Sequence, residues 1–156
     1  MANLRRLRAG DEHILRLLAE RDPEFDIADR QPAPEALDPL NDDEARRYLS
    51  DPTVLFWVAQ HGADVVGFLS CNVMPYRAQP ARELMLYEIG VHRDHRRRGI
   101  GRALVAAMTD WMTENGVPEV WLGADNPGAE QFYLACGFEK DDPATYMILR
   151  PPRALS

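Results

Sequence analysis

The sequence predicts an α/β fold of the α+β kind: one mixed, mostly antiparallel sheet with helices on its faces. Three observations carry this expectation. Apolar runs at residues 53–60, 65–74 and 84–91 follow one another with only a tight turn or a short loop between them. Directly after the third run comes the clearest helical pattern, with Ile100, Leu104, Met108, Trp111 and Met112 at spacings of three and four. A further strand pattern and a short helix follow. The 156 residues fit one domain, 1–156.

Taken in order, residues 4–8 suit a short strand, and Asp11 caps a helix to about residue 20 with Ile14, Leu15, Leu17 and Leu18 on its apolar side. Residues 22–40 read as irregular, rich in proline and acid. Asn41, with Glu44 three residues on, reads as a reciprocal cap opening a helix to residue 49, ended by Asp51-Pro52. His61-Gly62-Ala63-Asp64 joins the first two apolar runs as a hairpin. A loop with Pro75 and Pro80 leads to the third run. Asn115-Gly116, with Pro118 behind, stops the long helix. Residues 119–123 suit a strand, Asn126-Pro127 opens a helix that ends at Gly137, and residues 146–149 are expected as a final strand. Trp57, Trp111 and Trp121 are expected in the core.

Charge separates the chain into two parts. The net charge is −7, yet residues 92–102 hold Arg93, Arg96, Arg97, Arg98 and Arg102 against Asp94 alone. Without that stretch, which carries a net +4, the remainder stands at −11. One basic loop on an acidic body implies two ligands of opposite sign. Nucleic acid is a poor partner for such a surface, and no basic amphipathic helix offers a membrane contact. No apolar run approaches the roughly 18 residues of a membrane span, and the first residues lack the apolar core of a secretory signal. Cys71 and Cys136 show no metal-ligand spacing, so no metal is expected; reduced thiols favour the cytoplasm.

The stretch from Tyr87 to Leu104 runs from a buried strand through a basic turn directly into a helix. The first amides of a helix lack internal partners, and its dipole adds positive potential there. Gly99 and Gly101 carry no side chain to block those amides. The arrangement suits a pyrophosphate, with the arginines adding attraction and forked contacts. His92 and His95 read as loop residues beside it.

Arg96-Arg97-Arg98-Gly99-Ile100-Gly101 resembles the Gln/Arg-x-x-Gly-x-Gly/Ala motif of the GNAT acetyltransferase superfamily. Downstream, Asn126-Pro127-Gly128-Ala129-Glu130-Gln131-Phe132-Tyr133, followed by Gly137-Phe138, resembles that family's Asn-x-x-Ala-x-x-Phe-Tyr-x-x-x-Gly-Phe segment. A narrower similarity is to type I aminoglycoside 3-N-acetyltransferases. It rests on Val65-Val66-Gly67, Gln79-Pro80, residues 83–91 leading into His95-Arg96-Arg97, and Ala124-Asp125. The resemblance implies a sheet whose strands splay to admit acetyl-CoA. It also implies direct transfer of acetyl to an amine, here expected to be the 3-amino group of an aminoglycoside. Cosubstrate contacts are expected from Ile89, Gly90, Val91, Arg96, Arg97, Arg98, Gly99, Ile100, Gly101, Arg102, Ala103, Asn126 and Tyr133.

Three tasks then need residues: deprotonating the amine, stabilising the carbonyl oxygen and protonating the thiolate. Glu88, at the end of a half-buried strand, is the candidate base. Tyr133 matches the family's general acid. Glu83 and Asp125 are candidate contacts for the substrate ammonium, although Glu83 faces away from Glu88 by the period of two unless a bulge intervenes. Gly90 is the expected bulge or splay point, freeing the amides of Ile89 and Val91. The acidic stretch 22–40 is a candidate lid. Polyamines, other small amines and protein amines are alternative acceptors, and a non-catalytic acyl-CoA-binding module is the alternative from another class. A homodimer is consistent with the family.

Overall fold

The computed structural model describes residues 2–26, 32, 35–141 and 143–153. Its elements run β1 (Asn3–Arg6), α1 (Glu12–Glu20), a 3-10 turn (Asp22–Phe25), α2 (Asp42–Ser50), β2 (Val54–His61), β3 (Asp64–Pro75) and β4 (Arg82–Val91). A second 3-10 turn (Arg93–His95), α3 (Ile100–Asn115), β5 (Val120–Trp121) and α4 (Pro127–Ala135) complete them. The sheet order is β1-β2-β3-β4-β5; the first three pairings are antiparallel and β4–β5 is parallel. The expected mixed, mostly antiparallel sheet is therefore formed.

Alternation along β2 supplies both faces. Leu55, Trp57 and Ala59 pack with Leu69, Cys71, Leu84 and Leu86 beneath Ile100, Leu104 and Met108 of α3. Phe56 and Val58 join Phe68 on the other face, under Leu7, Ile14, Leu18 and Phe25. The helix predicted from the spacing of three and four thus lies flat on one face, and α1 covers the other.

Local signals succeeded where a side chain had no competing partner. Asn41 Oδ1 accepts from the Glu44 amide at 2.9 Å, and Glu44 returns to the Asn41 amide at 3.0 Å. Asn126 Oδ1 accepts from the Ala129 amide at 2.8 Å. Gly116, at φ 65°, ends α3. Asp11 departs from expectation: its carboxylate takes the Arg5 guanidinium at 3.0 and 3.1 Å and the Arg8 amide at 2.9 Å, and makes no cap hydrogen bond to α1. An ionic partner outcompeted the helix amides.

The C-terminal expectations need two corrections. Residues 146–149 form no strand, and Tyr146, Met147 and Leu149 are each at least 85% exposed. β5 pairs over only Leu84–Val120 and Met85–Trp121, too short an edge to template four further residues. Trp121, for the same reason, is exposed rather than core, while Trp57 is buried and Trp111 packs at the core margin. Both cysteines are free; Cys71 is sealed against Met108, and burial pushes its thiol up to about 12. No described helix is long and apolar enough to cross a membrane.

Candidate active site

The site begins with a break in the β3–β4 ladder. Ser70 stands opposite Glu88 and Cys71 opposite Leu86, so Tyr87 is an extra residue, a bulge. The bulge reverses the parity of the strand. Glu83 pairs with Met74 and Glu88 with Ser70, four residues apart, so both side chains share one face. Gly90, the expected bulge or splay point, is not a bulge, since it stays in register with Phe68. Its missing side chain serves packing: a Cβ there would lie 2.6 Å from the Phe68 ring and 2.9 Å from the Phe25 carbonyl.

The splay lies further along. The His92 amide donates to the Val66 carbonyl at 2.9 Å, on the β3 side. Amides alternate sides along a strand, which turns those of Val91 and Ile89 to the opposite edge. Among the described residues β5 pairs there only with Leu84 and Met85, so the edge beside Ile89 and Val91 is open.

The turn after β4 presents the basic residues unevenly. Arg97, Arg98 and Arg102 are exposed around the start of α3. Gly99 adopts φ 80°, a left-handed conformation, and nothing lies within 4 Å of where its Cβ would sit. Space is therefore left at Gly99 in front of α3, whose first amides lack helical partners, a position fit for a phosphate. Gly101 has another purpose: its Cβ would meet the Phe132 ring at 2.9 Å, so it lets α4 seat on α3. Arg96 turns back into the protein. Its Nη2 donates to the Asp26 carbonyl at 2.6 Å and its Nε to the Val91 carbonyl at 3.3 Å. Ile100 is buried and Ala103 closes the first helical turn onto the Gly99 carbonyl. His92 is not a loop-surface residue; its ring is buried edge-on against Phe25.

A cavity of about 220 Å³ opens between the 3-10 turn Asp22–Phe25, β4 and the start of α4. Among the residues lining it are Glu88, Ile89, Asp125, Asn126 and Tyr133, five of the residues singled out by sequence. Glu83 is not among them. Asp22 and Asp26 line it from the acidic stretch, with Gly123, Ala124, Ala129, Phe25, Phe68 and Tyr87. The last three went unsuggested. One signal was available: the strict alternation of Leu84 and Leu86 breaks at Tyr87-Glu88-Ile89, which marks the bulge. Of the candidate lid 22–40, residues 27–31, 33 and 34 lie outside the described residues.

The cavity changes the acidity of its key groups. The Glu88 side chain keeps an accessible face towards the cavity, but the surrounding walls displace much of its water. That desolvation first, and the neighbouring Asp22 carboxylate second, raise its pKa above the ordinary carboxylate value. Burial, followed by the nearby Asp125 carboxylate, pushes the Tyr133 phenol up to about 12. Phe132 and Phe138 hold the Tyr133 ring edge to face at 5.3 and 5.4 Å. Among the described residues no group of three or more His, Cys, Asp or Glu is placed to hold a metal.

The model of the acetyltransferase (GNAT) family matches residues 15–138. N-acetyltransferase 8B of Rattus norvegicus is 34% identical over 102 residues, which is 63% of this chain and 45% of that protein. The chain thus spans about half the length of the curated relatives it matches. An aminoglycoside acetyltransferase from an uncultured soil metagenomic sample superposes with TM-score 0.77 at 21% identity, covering 96% of this chain and 97% of its own. The same enzyme has been solved with sisomicin. An aminoglycoside N-acetyltransferase in complex with CoA superposes with TM-score 0.69 at 18% identity, covering 96% and 100%.

Proposed function

The chain belongs to the acetyltransferase (GNAT) family, and from that premise we propose that it transfers acetyl from acetyl-CoA to an amine of a polycationic small molecule of the aminoglycoside type. The observation that carries this reading is the cavity itself. Four acidic residues, Asp22, Asp26, Glu88 and Asp125, line the same space as Tyr133, next to the open edge of β4. Such a space favours a substrate with several positive charges. Structural neighbours that are aminoglycoside acetyltransferases support the substrate class, and the resemblance noted in the sequence suggests the 3-amino group.

The residues fit the cosubstrate by two features already described. The splayed edge offers the amides of Ile89 and Val91 to its extended arm. The open start of α3, with Gly99 flanked by Arg97, Arg98 and Arg102, offers amides and positive charge to its pyrophosphate. When bound, acetyl-CoA supplies an acetyl group activated as a thioester. Glu88 holds the substrate ammonium and takes its proton, directly or through water. Its raised pKa brings it closer to the operating pH, which strengthens it as a base. Tyr133 keeps its proton throughout the neutral range and so remains a donor for a departing thiolate. Asn126 fixes the first turn of the helix that presents Tyr133.

A second reading changes only the acceptor, to a polyamine, another small amine or a protein amine. It is favoured by the curated relatives, which are other N-acetyltransferases at up to 34% identity. Thiol release from acetyl-CoA, measured across sisomicin-like aminoglycosides, polyamines and lysine peptides, separates the two. Release with aminoglycosides alone upholds the first reading, and release with another amine replaces the substrate. Silence throughout, with acetyl-CoA bound, would leave a non-catalytic module.

A further inference from the structure

Arg96 of the basic turn is engaged away from the start of α3. Arg96 is half-buried and donates backwards to the carbonyl of Asp26, seventy residues away in the chain, and to that of Val91 at the end of β4. Two other contacts join the same pieces. Glu24 bonds Arg21 at 2.5 Å and lies 3.8 Å from Arg93 and 3.7 Å from His92, both beside the basic turn. Phe25 seats its carbonyl directly over Gly90, where any side chain would collide. The segment Asp22–Asp26 is therefore fastened to the end of β4 at three points, and that segment carries Asp22, Phe25 and Asp26 into the cavity opposite Glu88.

We propose that Arg96 is a positioning residue for the acceptor side of the cavity, holding the wall formed by residues 22–26 against the basic turn, so that the turn receiving the phosphates also sets the acceptor geometry. This assignment rests on the reading of the cavity as an amine site, and it moves Arg96 from cosubstrate contact to acceptor support. A guanidinium donating to a carbonyl is a charge-assisted bond of the stronger kind, with a fixed fork that aims it. Losing it loosens the wall without touching Arg97, Arg98 or the amides of α3.

Three measurements on Arg96→Met, Arg96→Lys and Arg98→Met test it: hydrogen exchange of amides in residues 22–26, acetyl-CoA affinity by calorimetry, and KM for whichever amine the wild type acetylates. Arg96→Met should speed exchange in residues 22–26 and raise the amine KM about tenfold, the loss of one charge-assisted bond, while acetyl-CoA affinity stays within about threefold. kcat should change less than KM, and Arg96→Lys should recover part of the loss. Arg98→Met should show the reverse: weaker acetyl-CoA binding and unaltered exchange. Unchanged exchange in Arg96→Met, or a loss of acetyl-CoA affinity matching the rise in KM, overturns the proposal. A wild type that acetylates no amine defeats the reading of the cavity instead, and exchange with calorimetry still decides the role of Arg96.

Discussion

The two walls of the cavity are built differently. The wall bearing Glu88 is one continuous piece of chain, β4 into the basic turn into α3, held by a ladder to β3 and by the core beneath α3. The opposite wall is assembled from pieces a hundred residues apart, Asp22–Phe25 and the start of α4, and is held by side-chain ties and close packing. A ladder distributes its strength over many backbone bonds. A wall made of ties depends on each of them. Substitutions at the proposed reacting side chains, Glu88 and Tyr133, should therefore act on chemistry, and those that loosen the seat of residues 22–26 on acceptor geometry.

The largest effect should come from the continuous wall. Glu88→Gln is expected to lower turnover at least about a hundredfold, the usual contribution of a positioned base, with acetyl-CoA affinity little changed. In the wild type, kcat/KM should rise with pH along a limb above the ordinary carboxylate range, because a base at Glu88, as proposed, would act only once ionised; that limb should vanish in the variant. Steady-state kinetics over pH and calorimetry check both, and equal losses of turnover and affinity would break the distinction. Tyr133→Phe should follow, lowering kcat roughly tenfold to a hundredfold with acetyl-CoA still bound.

The assembled wall predicts a different signature. Gly90→Ala pushes a methyl group against the Phe25 carbonyl and the Phe68 ring, so the segment over it must shift. Thermal denaturation should show a loss of about 1–3 kcal/mol, the range for overpacking, and the amine KM should rise more than kcat falls. Unchanged melting and kinetics would mean that this wall is not set by its seat.

The smallest effect concerns stability. Glu88 titrates higher in the fold than in an unfolded chain, so the folded state holds this proton more tightly. Its contribution favours folding at low pH and is lost as pH rises through the raised value. Glu88→Gln should consequently melt slightly higher than the wild type at pH 8, with the gap closing towards pH 4. A variant that melts lower at pH 8 would contradict the desolvated carboxylate described above.

The difference between the walls also governs what could be read from sequence. Everything that bears on neighbouring residues was legible: the helix from Ile100, the caps at Asn41 and Asn126, and the basic turn leading through Gly99 into α3. What depended on distant partners was not. Nothing in the order of residues says that Phe25 will sit on Gly90 or that Arg96 will turn towards Asp26. Asp11 looked like a cap until Arg5 came within reach. The shift of the bulge from Gly90 to Tyr87 has the same origin, because a glycine required by a ring packed against it looks, in sequence, like one required by backbone conformation.

The two cysteines have a practical consequence for assays. An enzyme of this family is conveniently followed by the free thiol it releases, and chromogenic disulfide reagents detect any accessible thiolate. Cys71 is sealed and its pKa is pushed to about 12, while Cys136, half-buried one turn beyond Tyr133, is also raised. Cys71 therefore stays an unreactive thiol at neutral pH, and the raised pKa of Cys136 slows its reaction. The folded protein should contribute little background colour, and a rising baseline without amine would report unfolding of the chain instead of catalysis.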